Sequence, residues 1–289
     1  MPELPEVETI ARGVDRRVCE DTITDVWFSS HSEPFNTPPS NQAKGLKGRR
    51  ILSVHRTGKH LVCELGEPFP PDTLPPNDSL ASAARSSCAQ WIVHLGMTGR
   101  LLVTTPESTP PTHTHMRLML ASGRELRFVD PRRFGRLEFR DLSQQQGFQA
   151  AGLDPLQIAQ PEFFALFRHR KLSIKAALLN QHLLSGVGNI YADESLFAAE
   201  IRPTQAAGRL NQARLDRLRI ALKSTLEHAI EKGGSSVSDY VDADGVRGFF
   251  QLDHCVYLRT GKPCRRCGTP IKRIELGGRG THFCPKCQR

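Results

Sequence analysis

No run of eighteen apolar residues occurs in the 289-residue sequence, so no segment has the length and composition of a bilayer-spanning helix. A basic-then-apolar leader is also missing. The chain opens acidic, as MPELPEVETI, which is not the layout of a secretory signal. The expectation is a cytoplasmic protein without a membrane partner, in a compartment where disulfides are uncommon. There are no internal repeats. A dinucleotide fingerprint is lacking too. Its nearest approach, Gly186-x-Gly188 in SGVGNIYADE, has Tyr191 where glycine is needed and follows no strand pattern.

Negative charge is scarce at one end. The whole chain has 39 Lys+Arg against 30 Asp+Glu, a net of +9. Between Arg259 and Arg289 nine basic residues face one acid, Glu275, so nine minus one leaves +8 in that stretch alone. Such a balance favours a polyanionic partner, nucleic acid above all.

The length suits two domains and an appendage. Val7, Ile10, Ala11, Val14 and Val18 recur at helical spacing behind Pro5, which fits a first-turn position. Eight short β-type runs follow, from TITDVWF to RLEFR, and read as a sandwich or barrel. Residues 67–90, EPFPPDTLPPNDSLASAARSSCAQ, break that rhythm and read as a long, mobile surface insertion. Beyond about Gly152 the period becomes helical in PEFFALFRHR, SIKAALLNQHLL, YADESLFAAEI and LNQARLDRLRIALKSTLEHAIEKGG. Gly233-Gly234 closes the last of these. The expected domains are therefore 1–150, a β-rich half, 151–254, a helical half, and 255–289, a small metal module.

Cys264-x-x-Cys267 and Cys284-x-x-Cys287 stand sixteen residues apart. Two such turns can set four thiolates tetrahedrally around one structural zinc, and about thirty residues need that metal in order to fold. Cys19, Cys63, Cys88 and Cys255 lack the spacing and read as small buried hydrophobes. Between the cysteine pairs, RIELGGRGTHF reads as a hairpin with Arg279 near its tip, a shape suited to phosphate contact.

The first residues suggest chemistry. Methionine aminopeptidase removes Met1 when a small residue follows, which would leave Pro2 as a free secondary amine with a pKa near 8 rather than a lysine's near 10. Such an amine attacks an aldehyde-like carbon to give an iminium, and Glu3 beside it can carry protons.

PELPEVET, HLGMTGR, DPRRFGRLEF, LLSGVGNIYADESLFAA and the four-cysteine module occur in one order along nearly the full length. In this the chain closely resembles the formamidopyrimidine-DNA glycosylase family, bacterial enzymes that excise oxidised purines. The resemblance implies an α+β fold: an N-terminal helix with a β-sandwich, then a helical helix–two-turn–helix domain carrying a zinc-bound β-hairpin. It implies Pro2 as nucleophile at the sugar C1′, Glu3 as acid/base, Lys59 as phosphate contact and proton donor in β-elimination, and Arg279 as phosphate clamp and aid to δ-elimination. Base chemistry in a duplex requires extrusion of the base; glycosylases are the standing example of that rule. Met97, Arg132 and Phe134 match the residues that fill the resulting void, chemistry that flexible Met, wedging Phe and hydrogen-bonding Arg can perform. His113 matches a DNA-contacting histidine, with His115 two residues on as a rival in alignment. Asn189 and the tight turn before it match a phosphate-binding element. Arg170, within Arg168–Lys171, reads equally as part of that backbone track or as a solvated helix end. Residues 233–250 match the loop that closes over an extruded 8-oxoguanine.

The implied activity is removal of 8-oxoguanine and formamidopyrimidines with β,δ-cleavage of the abasic site. The implied partner is double-stranded DNA holding oxidised bases or abasic sites, bound by a monomer in the bacterial cytoplasm and nucleoid. The contrasting reading is a non-catalytic zinc-ribbon protein that binds damaged DNA. A zinc hydrolase is disfavoured because four thiolates leave no open coordination position.

Overall fold

The computed structural model describes residues 1–31, 34–68, 86–237 and 240–289. Most of the expected insertion, 69–85, therefore lies outside the described residues, as do two residues of the 233–250 loop. The chain forms two compact units: Met1–Pro2, Glu6–Gln149 and Ser236–Gly248 make the first; Glu3–Pro5, Ala150–Ser235 and Phe249–Arg289 make the second.

Helix α1 (Leu4–Val18) buries the predicted stripe Val7, Ile10, Ala11, Val14 and Val18 in the first unit's core. Two four-stranded antiparallel sheets complete that unit. One runs β1 (Ile23–Phe28), β6 (Thr114–Leu120), β7 (Glu125–Val129), β5 (Arg100–Thr104). The other runs β2 (Arg49–Thr57), β3 (His60–Pro68), β4 (Ala89–His94), β8 (Arg136–Asp141). Inward residues of both sheets, among them Leu61, Trp91, Leu118 and Phe128, share one core with α1. Strand β7 is buried along its whole length. It tolerates Glu125 and Arg127 there because they pair at 2.7 Å, with Arg117 on the carboxylate's other oxygen at 2.6 Å. Burial alone would push Glu125 up, but the two guanidiniums outweigh it and hold its carboxyl below the usual range.

Helix α2 (Pro39–Leu46) has no counterpart in the sequence reading. It is held from outside: its Gly45 packs so closely on Phe139 that a Cβ would fall 2.4 Å from the ring, and buried Gln42 donates to the Thr37 carbonyl at 2.8 Å.

The second unit holds α3 (Gln160–Phe167), α4 (Ile174–Leu178), α5 (Asn189–Ala198) and α6 (Gln212–Glu231). Asn211 caps α6 by accepting the Arg214 N–H at 2.9 Å. Leu215, Leu218, Leu222, Leu226 and Ala229 form its buried face. Gly233 and Gly234, both at positive φ, end it through the Ile230 and Ala229 carbonyls. Helix α4 is much shorter than the SIKAALLNQHLL pattern suggests. Asn180 diverts the chain by accepting the His182 N–H at 3.0 Å, and Gln181 donates to the Leu179 and Val187 carbonyls. Strands β9 (Lys272–Leu276) and β10 (Arg279–Phe283) form the predicted hairpin about Gly277-Gly278, both at positive φ.

Residues 236–248, read from the sequence with the helical half, group with the first unit instead. Val103 donates to the Ala243 carbonyl at 3.0 Å, and Arg17 pairs with Asp244. No helix among the described residues is long and apolar enough to cross a membrane.

Candidate DNA-processing site

In the second unit the site grows from the start of α5. The turn before it is fixed by Gln181, whose amide oxygen accepts the Gly186 N–H at 2.9 Å. Gly186, at φ 92°, presents its carbonyl to the Leu4 N–H at 3.0 Å. Glu3, only 5% exposed, thereby lies against the helix. Its carboxylate accepts the Ile190 N–H at 3.2 Å and the Tyr191 N–H at 3.4 Å. Those are first-turn donors without helical partners, at the positive end of the helix dipole. Gly188 makes the approach possible, since a Cβ there would stand 2.1 Å from the Glu3 carboxyl carbon.

Around the same turn lies a polar cluster whose Lys175 and Asp193 the sequence reading did not single out. Lys175 is fully buried and pairs with Asp193 at 2.7 Å. Its ammonium also donates to the Gly280 carbonyl at 3.0 Å and the Thr281 hydroxyl at 2.8 Å. Asn189 donates to the same Gly280 carbonyl at 3.0 Å. Arg279 sits one residue before this attachment. Burial lowers the Lys175 pKa, with Asp193 opposing, and the Arg279 charge adds to the lowering. Arg170 has no hydrogen bond or ion pair to this cluster among the described residues. It lies in a basic depression with His169, Lys171 and Arg209, and its guanidinium donates to the Leu166 carbonyl.

The four cysteine sulfurs Cys264, Cys267, Cys284 and Cys287 all lie within 4.8 Å of one another. Tetrahedral Zn–S bonds of about 2.3 Å require sulfurs roughly 3.8 Å apart; Cys267–Cys284 and Cys264–Cys287 are 3.5 and 4.0 Å apart. Backbone N–H groups of Arg266 and Cys287 point at Cys264 and Cys284 at 3.4 Å each. The donor set therefore fits one structural zinc, closed to water. Thr269 pulls Cys267 down to about 6, while burial and the neighbouring thiols push Cys287 up to about 12. Of the other cysteines only Cys63 is buried; Cys19 is exposed, contrary to expectation, where α1 gives way to a turn. Glu194 fastens the module to α5, accepting the N–H groups of Cys255, Val256 and Tyr257 at 2.8 to 2.9 Å.

In the first unit, buried Asp130 organises a second group. One oxygen accepts the Thr98 hydroxyl at 2.6 Å and the Arg132 N–H at 3.3 Å; the other accepts the Gly135 N–H at 2.7 Å. Two loops, 95–99 and 131–135, are thus bound together. Gly96, at φ 62°, lies so close to the Phe134 carbonyl group that a Cβ would come within 2.5 Å. The result sets Met97, 41% exposed, and Phe134, 50% exposed, on adjoining loops. The Arg132 guanidinium is 5.0 Å from the Phe134 ring centre. His113 is exposed and gives its carbonyl to the Asp130 N–H at 3.0 Å, whereas His115 is buried against the Asp130 carbonyl. Lys59 stands at the β2–β3 turn after Gly58, and Pro2 is buried beneath an exposed Met1.

Three family profiles match in order: the formamidopyrimidine-DNA glycosylase N-terminal domain over residues 1–137, the H2TH domain over 151–241, and the zinc finger found in FPG and IleRS over 261–289. The formamidopyrimidine-DNA glycosylases of Burkholderia mallei and Solibacter usitatus are 41% and 40% identical, each aligned over 100% of both chains. A glycine-to-proline mutant of Lactococcus lactis FPG, solved with Fapy-dG-containing DNA, superposes with a TM-score of 0.84 at 30% identity over 100% of both chains. The MutM (FPG) protein of Thermus thermophilus gives 0.81 at 38% identity, covering 99% of this chain and 98% of that one. On full-length identity and on fold, this chain belongs to the formamidopyrimidine-DNA glycosylase family, DNA glycosylases that act on damaged DNA.

Proposed function

We propose that the protein removes oxidised purines, 8-oxoguanine and formamidopyrimidines, and then cleaves the abasic site by β,δ-elimination. The Pro2 nitrogen, freed by loss of Met1, attacks C1′ as the glycosidic bond breaks, and the departing base takes a proton. The C1′–O4′ bond then breaks as Glu3 protonates O4′, and the open-chain iminium so formed acidifies C2′–H. Loss of that proton expels the 3′ phosphate, and a second elimination expels the 5′ phosphate. Glu3 passes protons at the sugar ring oxygen, Lys59 at the β-elimination, and Arg279 holds the phosphates and aids the δ step. Met97, Arg132 and Phe134 fill the emptied stack, His113, Asn189 and Arg170 contact the backbone, and the 233–250 loop covers the extruded base. The 1–150, 151–254 and 255–289 segments are its working parts, and the protein acts as a monomer.

The observation that carries this reading is Glu3. A carboxylate at 5% exposure, held by two helix-start N–H groups immediately after Pro2 in the chain, is an arrangement that a mere binder has no need of. The L. lactis complexes with Fapy-dG-containing and abasic-site DNA supply the substrate class by kinship. Incubation with abasic-site duplex and borohydride should trap a covalent protein–DNA adduct; its absence would favour the zinc-ribbon binder. Excision compared across oligonucleotides bearing 8-oxoguanine, formamidopyrimidine and oxidised pyrimidine ranks the lesions, and faster excision of the purines is expected.

Gly188→Ala tests Glu3 without touching it. The added methyl must displace the carboxylate, because the obstacle is 2.1 Å away. Removal of a positioned acid/base typically costs about 10²–10⁴-fold in rate, so single-turnover base excision should fall within that range. Zinc content and duplex affinity should stay close to those of the parent.

A further inference from the structure

We infer that Asp193 is a positioning residue for Arg279, acting through Lys175 and His282 to hold the β9–β10 hairpin on α5. The inference rests on the proposed role of Arg279. Asp193 is fully buried. One of its oxygens holds the Lys175 ammonium at 2.7 Å; the other accepts the His282 backbone N–H at 2.8 Å and meets the His282 ring at 3.1 Å. Lys175 extends the grip to the Gly280 carbonyl and the Thr281 hydroxyl, and that hydroxyl donates to the Arg279 carbonyl at 3.2 Å. Three consecutive residues, 280 to 282, are thus bound to α4 and α5, and the next residue back is Arg279. A hairpin of two five-residue strands with a Gly-Gly turn has little rigidity of its own. Its tip direction must come from such attachments.

Stability alone does not account for the pair. A buried ion pair costs desolvation that its attraction barely offsets, and apolar side chains of similar volume often serve as well. What apolar packing cannot supply is direction. Here one carboxylate and one ammonium satisfy three backbone or hydroxyl groups of the hairpin at fixed angles.

The test is Asp193→Asn on preformed abasic-site duplex, where no base excision is needed. Asparagine can still accept one N–H but leaves the ammonium unopposed. Misplacement of a reacting group by about 1 Å can cost on the order of 100-fold. The δ-elimination product should therefore fall roughly 10- to 100-fold, with one zinc still bound. In an Arg279→Ala background the same change should cost less than about twofold, because the group it positions is gone. Equal losses in both backgrounds would overturn the inference. Hydrogen exchange reads the hairpin independently of catalysis: the amides of Thr281 and His282 should exchange faster in Asp193→Asn, and unchanged exchange would overturn the inference as well. Should Arg279→Ala prove silent, the role given to Arg279 fails while hydrogen exchange still decides the attachment. If Asp193→Asn does not fold, Lys175→Met/Asp193→Asn removes both charges together and is put through the same measurements.

Discussion

Stripping zinc from this protein is expected to unfold residues 261–289 and lower duplex affinity roughly 100-fold, while the β-sheets of the first unit stay intact. The module's own core is very small: Val256, Cys264, Ile271 and Cys284 packed on Phe197. Two of those four are metal ligands, so removing the metal removes the core. Ligation by four thiolates contributes about 10–16 kcal/mol to such modules, far more than a few buried side chains can replace. The hairpin bears Arg273 and Arg279, and Arg265, Arg266 and Lys286 flank the cysteines. Scattering these cationic side chains together accounts for the size of the predicted fall, and it also predicts a shallower salt dependence. A chromogenic chelator should release one zinc per chain, and Cys284→Ser should mimic its removal. Cys19→Ser, at an exposed thiol outside the cluster, should leave the stoichiometry at one. Unchanged duplex affinity after complete zinc loss would refute the argument.

Much of this architecture was legible because it is written in local patterns. All eight strands of the sheets coincide with β-type runs in the sequence, and the stripe on α1 and the glycine stop after α6 follow from periodicity and backbone preference. What stayed hidden depends on partners distant in sequence. Helix α2 is set by Phe139, nearly a hundred residues away. The truncation of α4 is decided by two amide side chains that compete for backbone groups. The deepest omission concerns two aspartates, each of which organises a group within its own unit. Asp130 stands inside a quoted motif and Asp193 inside another, yet neither offers a spacing that betrays which loops it ties. A signal did exist: an acid within an otherwise apolar or glycine-rich stretch is a poor choice unless buried donors await it. Lys175, between Ile174 and Ala176, carried the same mark.

Placing one extra residue ahead of Pro2 should abolish borohydride-trapped adduct on abasic DNA, by a factor of about 10³ or more, with duplex affinity held within about threefold. The reason is electronic. Once acylated, the Pro2 nitrogen gives its lone pair to the amide, whose partial double bond leaves nothing to attack C1′. An ordinary lysine is a poor replacement at neutral pH. An α-amine of pKa near 8 is roughly 10% unprotonated at pH 7, against less than about 0.1% for an ordinary lysine near 10.4. Pro2→Gly should do less harm than the extension, because it keeps a terminal amine and loses only the ring that fixes the nitrogen's direction and the secondary-amine basicity. The native chain should trap faster as pH rises through the amine's pKa, since deprotonation creates the nucleophile; the extended chain should show no such rise. Mass spectrometry of the trapped peptide locates the bond. Attachment at any residue other than Pro2, or an extended chain that traps at the native rate, would mean that the buried carboxylate of Glu3 serves some other chemistry than opening a sugar held by its neighbour.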